Sequence, residues 1–151
     1  MPTVISSMHD WLLEEAVSYS LGGGDGVVRG YGDAGAVTAQ APVALVVDVA
    51  SLGTWISNQW YTGAAGSTGV GEIADPSTGV APALRRIDLV VWTAGAGITV
   101  VTGVEGAVPV APATPASSVL LTHVYCRKGM TSVKDADDAS NGYIVDARSY
   151  F

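Results

Sequence analysis

The sequence predicts a mainly β fold, an antiparallel β-sandwich or small barrel with one short N-terminal helix. Three observations predict it. After residue 26 the chain is a series of short apolar or alternating segments, with period-two patterning clearest over 42–50 and 54–62, as strands require. Nineteen glycines punctuate those segments at short intervals. Only one stretch, 7 to 21, reads as a helix, and "GGGDG" at 22 to 26 stops it, because glycine is costly in a helix and cheap in a turn.

Each element has its own warrant. In "SMHDWLLEEAVSYSL", Ser7 or Asp10 caps the helix and Glu14 and Glu15 lie in its early turns. "GVVRG" (26 to 30) is a short strand, followed by "AVTAQ" (36 to 40) and "PVALVVDVA" (42 to 50). "TWISNQWYT" (54 to 62) alternates as one strand, with Trp55, Ser57, Gln59 and Tyr61 on one side and Ile56, Asn58 and Trp60 on the other. "RIDLVVWT" and "GITVVTG" form a hairpin about "AGA". "SVLLTHVYCRK" (118 to 128) is a long apolar strand, and "NGYIVDARSYF" closes the chain. Residues 63 to 84 read as a long small-residue loop, and loops of that length are usually functional or packed on a partner. Prolines at 109, 112 and 115 fit either polyproline II, whose turn is three residues, or a plain extended linker. The organisation is therefore a helical arm and Gly-rich joint over 1 to 25 and a β-domain over 26 to 151.

Composition excludes several functions. The net charge of −7 argues against nucleic-acid binding, which needs clustered Lys and Arg. No apolar run approaches the length of a membrane span, and the N-terminus lacks the basic and apolar regions of a signal peptide, which predicts synthesis in the cytoplasm. Charged residues make up only 14% of the chain, so part of its surface is expected to be covered by other subunits.

The sequence offers no active site. His9, His123 and the single cysteine, Cys126, do not make a metal constellation, and His123 reads as a half-buried histidine. "DADDASNG" (135 to 142) departs from a calcium loop, with Ala139 and Ser140 at its fifth and sixth positions and Asp146 at its twelfth, so it reads as a solvated acidic turn. No serine stands in a Gly-x-Ser-x-Gly context, and "GGGDG" lacks the Lys-Ser/Thr of a phosphate loop. No cofactor and no catalytic residue is expected.

The series "GVVRG", "ALVVDVASLGTWISNQWY", "RIDLVVW", "PVAPATP", "LLTHVYCRKGMTSV" and "IVDAR" resembles, in that order, a group of small tailed-bacteriophage virion proteins. That group includes tail-fibre or baseplate-associated domains and short structural proteins. The resemblance implies a non-enzymatic virion protein that self-associates, as a homotrimer, and binds other virion proteins. A capsid-surface decoration or stabilising role is favoured because "DARSYF" is followed by no distal receptor-binding module. A tail-fibre or baseplate component is the alternative. A carbohydrate-binding module recognising a host-surface glycan is a second, with Trp55, Trp60, Tyr61 and Trp92 as stacking faces.

Two groups of residues carry specific expectations. Arg86 and Asp88 share a face of an otherwise apolar strand, as Asp146 and Arg148 do on the last one. If those strands pair antiparallel, Arg86 meets Asp146 and Asp88 meets Arg148, a four-charge structural clamp that fixes register. Trp11, Leu12, Leu13 and Tyr19 of the arm are expected to bind a partner, because a helix this short must dock on something.

Overall fold

The computed structural model describes residues 25–41, 44–69 and 85–150. Eleven strands follow in order: β1 (Gly26–Gly32), β2 (Val37–Ala39), β3 (Val46–Val49), β4 (Leu52–Ile56), β5 (Gln59–Gly63), β6 (Gly66–Gly69), β7 (Arg85–Thr93), β8 (Gly97–Val101), β9 (Ser118–Arg127), β10 (Val133–Lys134) and β11 (Gly142–Asp146). They form three sheets, ordered β1-β4-β5, β2-β3-β6 and β10-β11-β9-β7-β8. The fold is mainly β, and its strand pairs are antiparallel except for β10 with β11. Among the described residues the strands do not close into a barrel. The expected helix, with Trp11, Leu12, Leu13 and Tyr19, lies outside the described residues, as does 70–84 of the expected loop.

The first two sheets are one meander folded across a corner. Gly32 pairs with Leu52, Gly35 and Ala36 hydrogen-bond with Ser51 and Ala50, and Val37 pairs with Val49. On the other side, Leu52 pairs with Gly63 and Val49 with Gly66. Three small-residue clusters, "GDAGA", "AS" and "GAAG", therefore lie side by side where the meander bends from one sheet to the next. Side chains would block the bend: a Cβ on Gly63 would lie 2.5 Å from Trp92 Nε1. Gly35 also takes a φ of +65°, a region that favours glycine.

The strand expected over 54 to 62 is two strands. Ser57 and Asn58 carry φ of 50° and 62° and turn the chain back, so that Trp55 faces Trp60 across the hairpin. "RIDLVVWT" and "GITVVTG" do pair as a hairpin, β7 with β8. In β9, Leu121 is an extra residue between the pairs Val90–Thr122 and Val91–Leu120, a bulge that bends the strand.

All three sheets contribute to one core. Val27, Val47, Val49, Leu52, Ile56, Val90, Leu121 and Val124 are almost wholly buried in it, and Trp92 and Cys126 join them. The apolar area removed from water there is the main force holding the sheets together. The tail after β11 closes the structure: Val27 N–H donates to Ser149 O and Ala147 N–H to Leu121 O.

Candidate functional site

Arg86 and Asp88 start β7 on its core-facing side, opposite Cys126 and Val124 of β9. Asp88 is fully buried and Arg86 nearly so. Arg86 Nε lies 3.1 Å from Asp88 Oδ1 and 3.3 Å from Oδ2. Asp88 Oδ1 also accepts the Gly103 N–H at 2.7 Å, and Oδ2 accepts the Cys126 thiol at 3.1 Å. Arg86 Nη1 reaches Glu105 at 3.5 Å. Burial, with Asp88 beside it, pushes the Cys126 thiol far above its ordinary range, so it stays protonated and donates. The arrangement pins residues 103 to 106 along the edge of β7, where Gly106 exchanges two backbone hydrogen bonds with Arg85.

This corrects the expected four-charge clamp. β11 pairs with β9 and not with β7, so β9 stands between the two charged strands. Two strand spacings, roughly 9–10 Å, separate them. Each pair closes on itself instead. Arg148 holds Asp146 through Nε at 2.9 Å and Nη2 at 2.5 Å, and its Nη1 donates to the carbonyls of Asp33 and Ala34. The Arg148 guanidinium lowers the Asp146 carboxyl below its ordinary range. Arg86 and Asp88 do share one face of a strand, but β11 ends at Asp146 and Arg148 stands in the tail beyond it, and parity says nothing about which strand is next door.

The aromatic residues do not form one stacking platform. Trp55 and Trp60 lie with Val28 on the outer face of β1-β4-β5, with Tyr31 edge-on to Trp60 at 5.5 Å. Tyr61 turns to the opposite face and packs on Trp92 at 5.7 Å. His123 is half-buried beside Tyr125, as expected, while the bulge turns Leu121, of the same sequence parity, into the core. Tyr125 stacks on Tyr143 at 4.9 Å, and Arg127 lies over Tyr143. These residues and Arg85 border a 350 Å³ cleft with Pro109.

The acidic turn uses its carboxylates locally. Asp137 receives a two-pronged contact from Arg127, at 2.6 and 2.8 Å, and Asp138 accepts the Asn141 side-chain amide at 2.7 Å and the backbone N–H groups of Asn141 and Ser140. These donors hold both carboxyls at about 2. Among the described residues no group of three or more His, Cys, Asp or Glu is placed to hold a metal ion.

Two surface features were not singled out in the sequence. The segment between β8 and β9 exposes Val104, Val108 and Val110 at 81%, 86% and 78%. Only the prolines signalled that the chain here is held outside a sheet, where its valines find no internal cover. A groove of about 880 Å³ crosses β2-β3-β6 and is bordered by Asp33, Thr38, Gln40, Asp48, Ser67 and Arg148. Thr38, Asp48 and Ser67 are directly opposite one another on three neighbouring strands, a row that only the pairing reveals. Comparison with known proteins finds no matching family, no matching curated protein and no matching solved structure.

Proposed function

We propose that this chain is a non-enzymatic structural protein of a tailed-bacteriophage virion, seated on the capsid surface as a decoration or stabilising protein. The observation that carries the reading is the trio Val104, Val108 and Val110, concentrated within seven residues of a proline-rich strap and almost fully exposed. Apolar side chains gathered in this way mark an interaction surface. Where copies are joined in an oligomer, each needs only a modest apolar patch on a repeating lattice, because the linkage supplies avidity. Low charge and the order of motifs across the chain support the same reading. The residues with chemical potential, Arg86, Asp88 and Cys126, are engaged with one another inside the fold.

The test is the position of the protein on a particle. Antibodies raised against the purified chain, coupled to gold, are applied to gradient-purified particles of the phage that encodes it. Regular labelling of heads is expected. Label confined to tails moves the assignment to a tail-fibre or baseplate component, and absence from purified particles overturns the virion reading.

A further inference from the structure

The geometry points to a binding site for a neutral sugar in the groove across β2-β3-β6, with Asp48 as its central acceptor. Asp48 Oδ1 is already held by two donors, Gln40 Nε2 at 3.1 Å and Ser67 Oγ at 2.6 Å. Among the described residues its Oδ2 makes no hydrogen bond, and neither does the Thr38 hydroxyl directly opposite on β2. A half-buried carboxylate is thus fixed in orientation by one oxygen, leaving the other to accept from a ligand. Hydroxyl-to-carboxylate hydrogen bonds are short and among the stronger neutral-to-charged kinds. A pair of adjacent hydroxyls, one donating to Asp48 Oδ2 and one meeting Thr38, fits this arrangement.

The rest of the lining narrows the class. Arg148 is neutralised by Asp146 and spends its other nitrogen on two carbonyls, so it does not offset Asp33 and Asp48. The groove is net negative and disfavours phosphate, sulfate and acidic sugars. Among the described residues no aromatic side chain lines it, which removes the usual reason for a flat aromatic ligand to bind. Ala36, Ala50 and Ala65 of the corner line it as well, small apolar surfaces suited to the C–H face of a sugar ring. A concave site with a few fixed polar groups on rigid strands is the usual form of a small-ligand site. The site does not depend on where on a particle the chain sits.

The full chain is tested on an array of neutral oligosaccharides built from glucose, galactose, mannose and N-acetylglucosamine, with acidic glycans alongside. The best neutral glycan is then titrated into labelled protein and followed by amide chemical shifts. Retention of at least one neutral glycan is expected, with shifts confined to 33–40, 46–50 and 65–67. Asp48→Asn should weaken binding by about tenfold and Thr38→Val by about threefold, the scale of one lost hydrogen bond. Both variants should melt as the parent does; if Asp48→Asn does not fold, Thr38→Val alone carries the test. No neutral glycan above background, preference for acidic glycans, or binding that survives in the folded variants overturns the proposal. Shifts centred on Tyr31, Trp55 and Trp60 would also overturn it, by placing the sugar on the aromatic face instead.

Discussion

Asp88 accepts hydrogen bonds from Arg86, Gly103 and Cys126, and no water reaches it to replace a lost partner. Removing one member of such a buried pair strands the other, which costs about 3–5 kcal/mol. We expect Arg86→Ala and Asp88→Ala each to destabilise on that scale in chemical denaturation, with the double variant well short of additive. Asp146→Ala should cost less, about 1 kcal/mol, because the Asp146 side chain is 55% exposed and water can replace it beside Arg148, whose own side chain is mostly covered. The decisive cycle pairs Arg86→Ala with Asp146→Ala. Additive costs are expected with β9 between the two sites; a coupling above about 1 kcal/mol would restore the cross-strand clamp.

At the scale of elements, two turns yield tests, and both show what sequence pattern leaves open. The acidic turn holds Asp137 and Asp138 at about 2, below the ordinary carboxyl value of 3.8. In that window the unfolded chain binds more protons than the folded one. The stability from these contacts is therefore complete above about pH 4 and is lost as pH falls towards 2. Melting temperature should drop between pH 4 and 2, and Asp137→Asn with Asp138→Asn should flatten that drop; an unchanged slope would show that the turn does not contribute. At the β4–β5 turn, Asn58 takes a left-handed φ that a β-branched residue tolerates poorly. Asn58→Val should cost about 1–2 kcal/mol and Asn58→Gly should be neutral or better, as read by thermal melts. This same turn explains why the segment was misread. "TWISNQWYT" keeps its alternation through a two-residue turn, so pattern alone makes it one strand. Folding back reverses the parity of everything after it, which puts Trp60 with Trp55 and sends Tyr61 to the core side. β7, β8 and β9 were legible because their apolar runs are interrupted by "AGA" and by prolines. The small-residue corner was visible as composition, yet its meaning required knowing that three distant clusters are neighbours.

The whole molecule combines a closed interior with an unfinished outside. One core draws on all three sheets, and the charged residues next to it are internally satisfied. Outside, the strap from 102 to 117 is anchored near its start by Glu105 and Gly106 and at its end by the Ala94 N–H, which donates to Ser117 O. Between those anchors Val108 and Val110 contribute nothing to the core, so changing them should leave the fold intact. If they form the contact between copies, the consequence is specific. Parent protein at micromolar concentration should scatter light as a multiple of 15.3 kDa, with three copies expected. Val108→Asp with Val110→Asp should reduce it to the single-chain mass with an unchanged melt extrapolated to low concentration, because a charge placed in an apolar contact is costly to desolvate. A parent that already scatters as one chain would remove self-association and leave the strap to a different virion protein. A variant that stays oligomeric would place the contact elsewhere on the surface, with the outer aromatic face of β1-β4-β5 the next place to mutate, through Trp60→Ala.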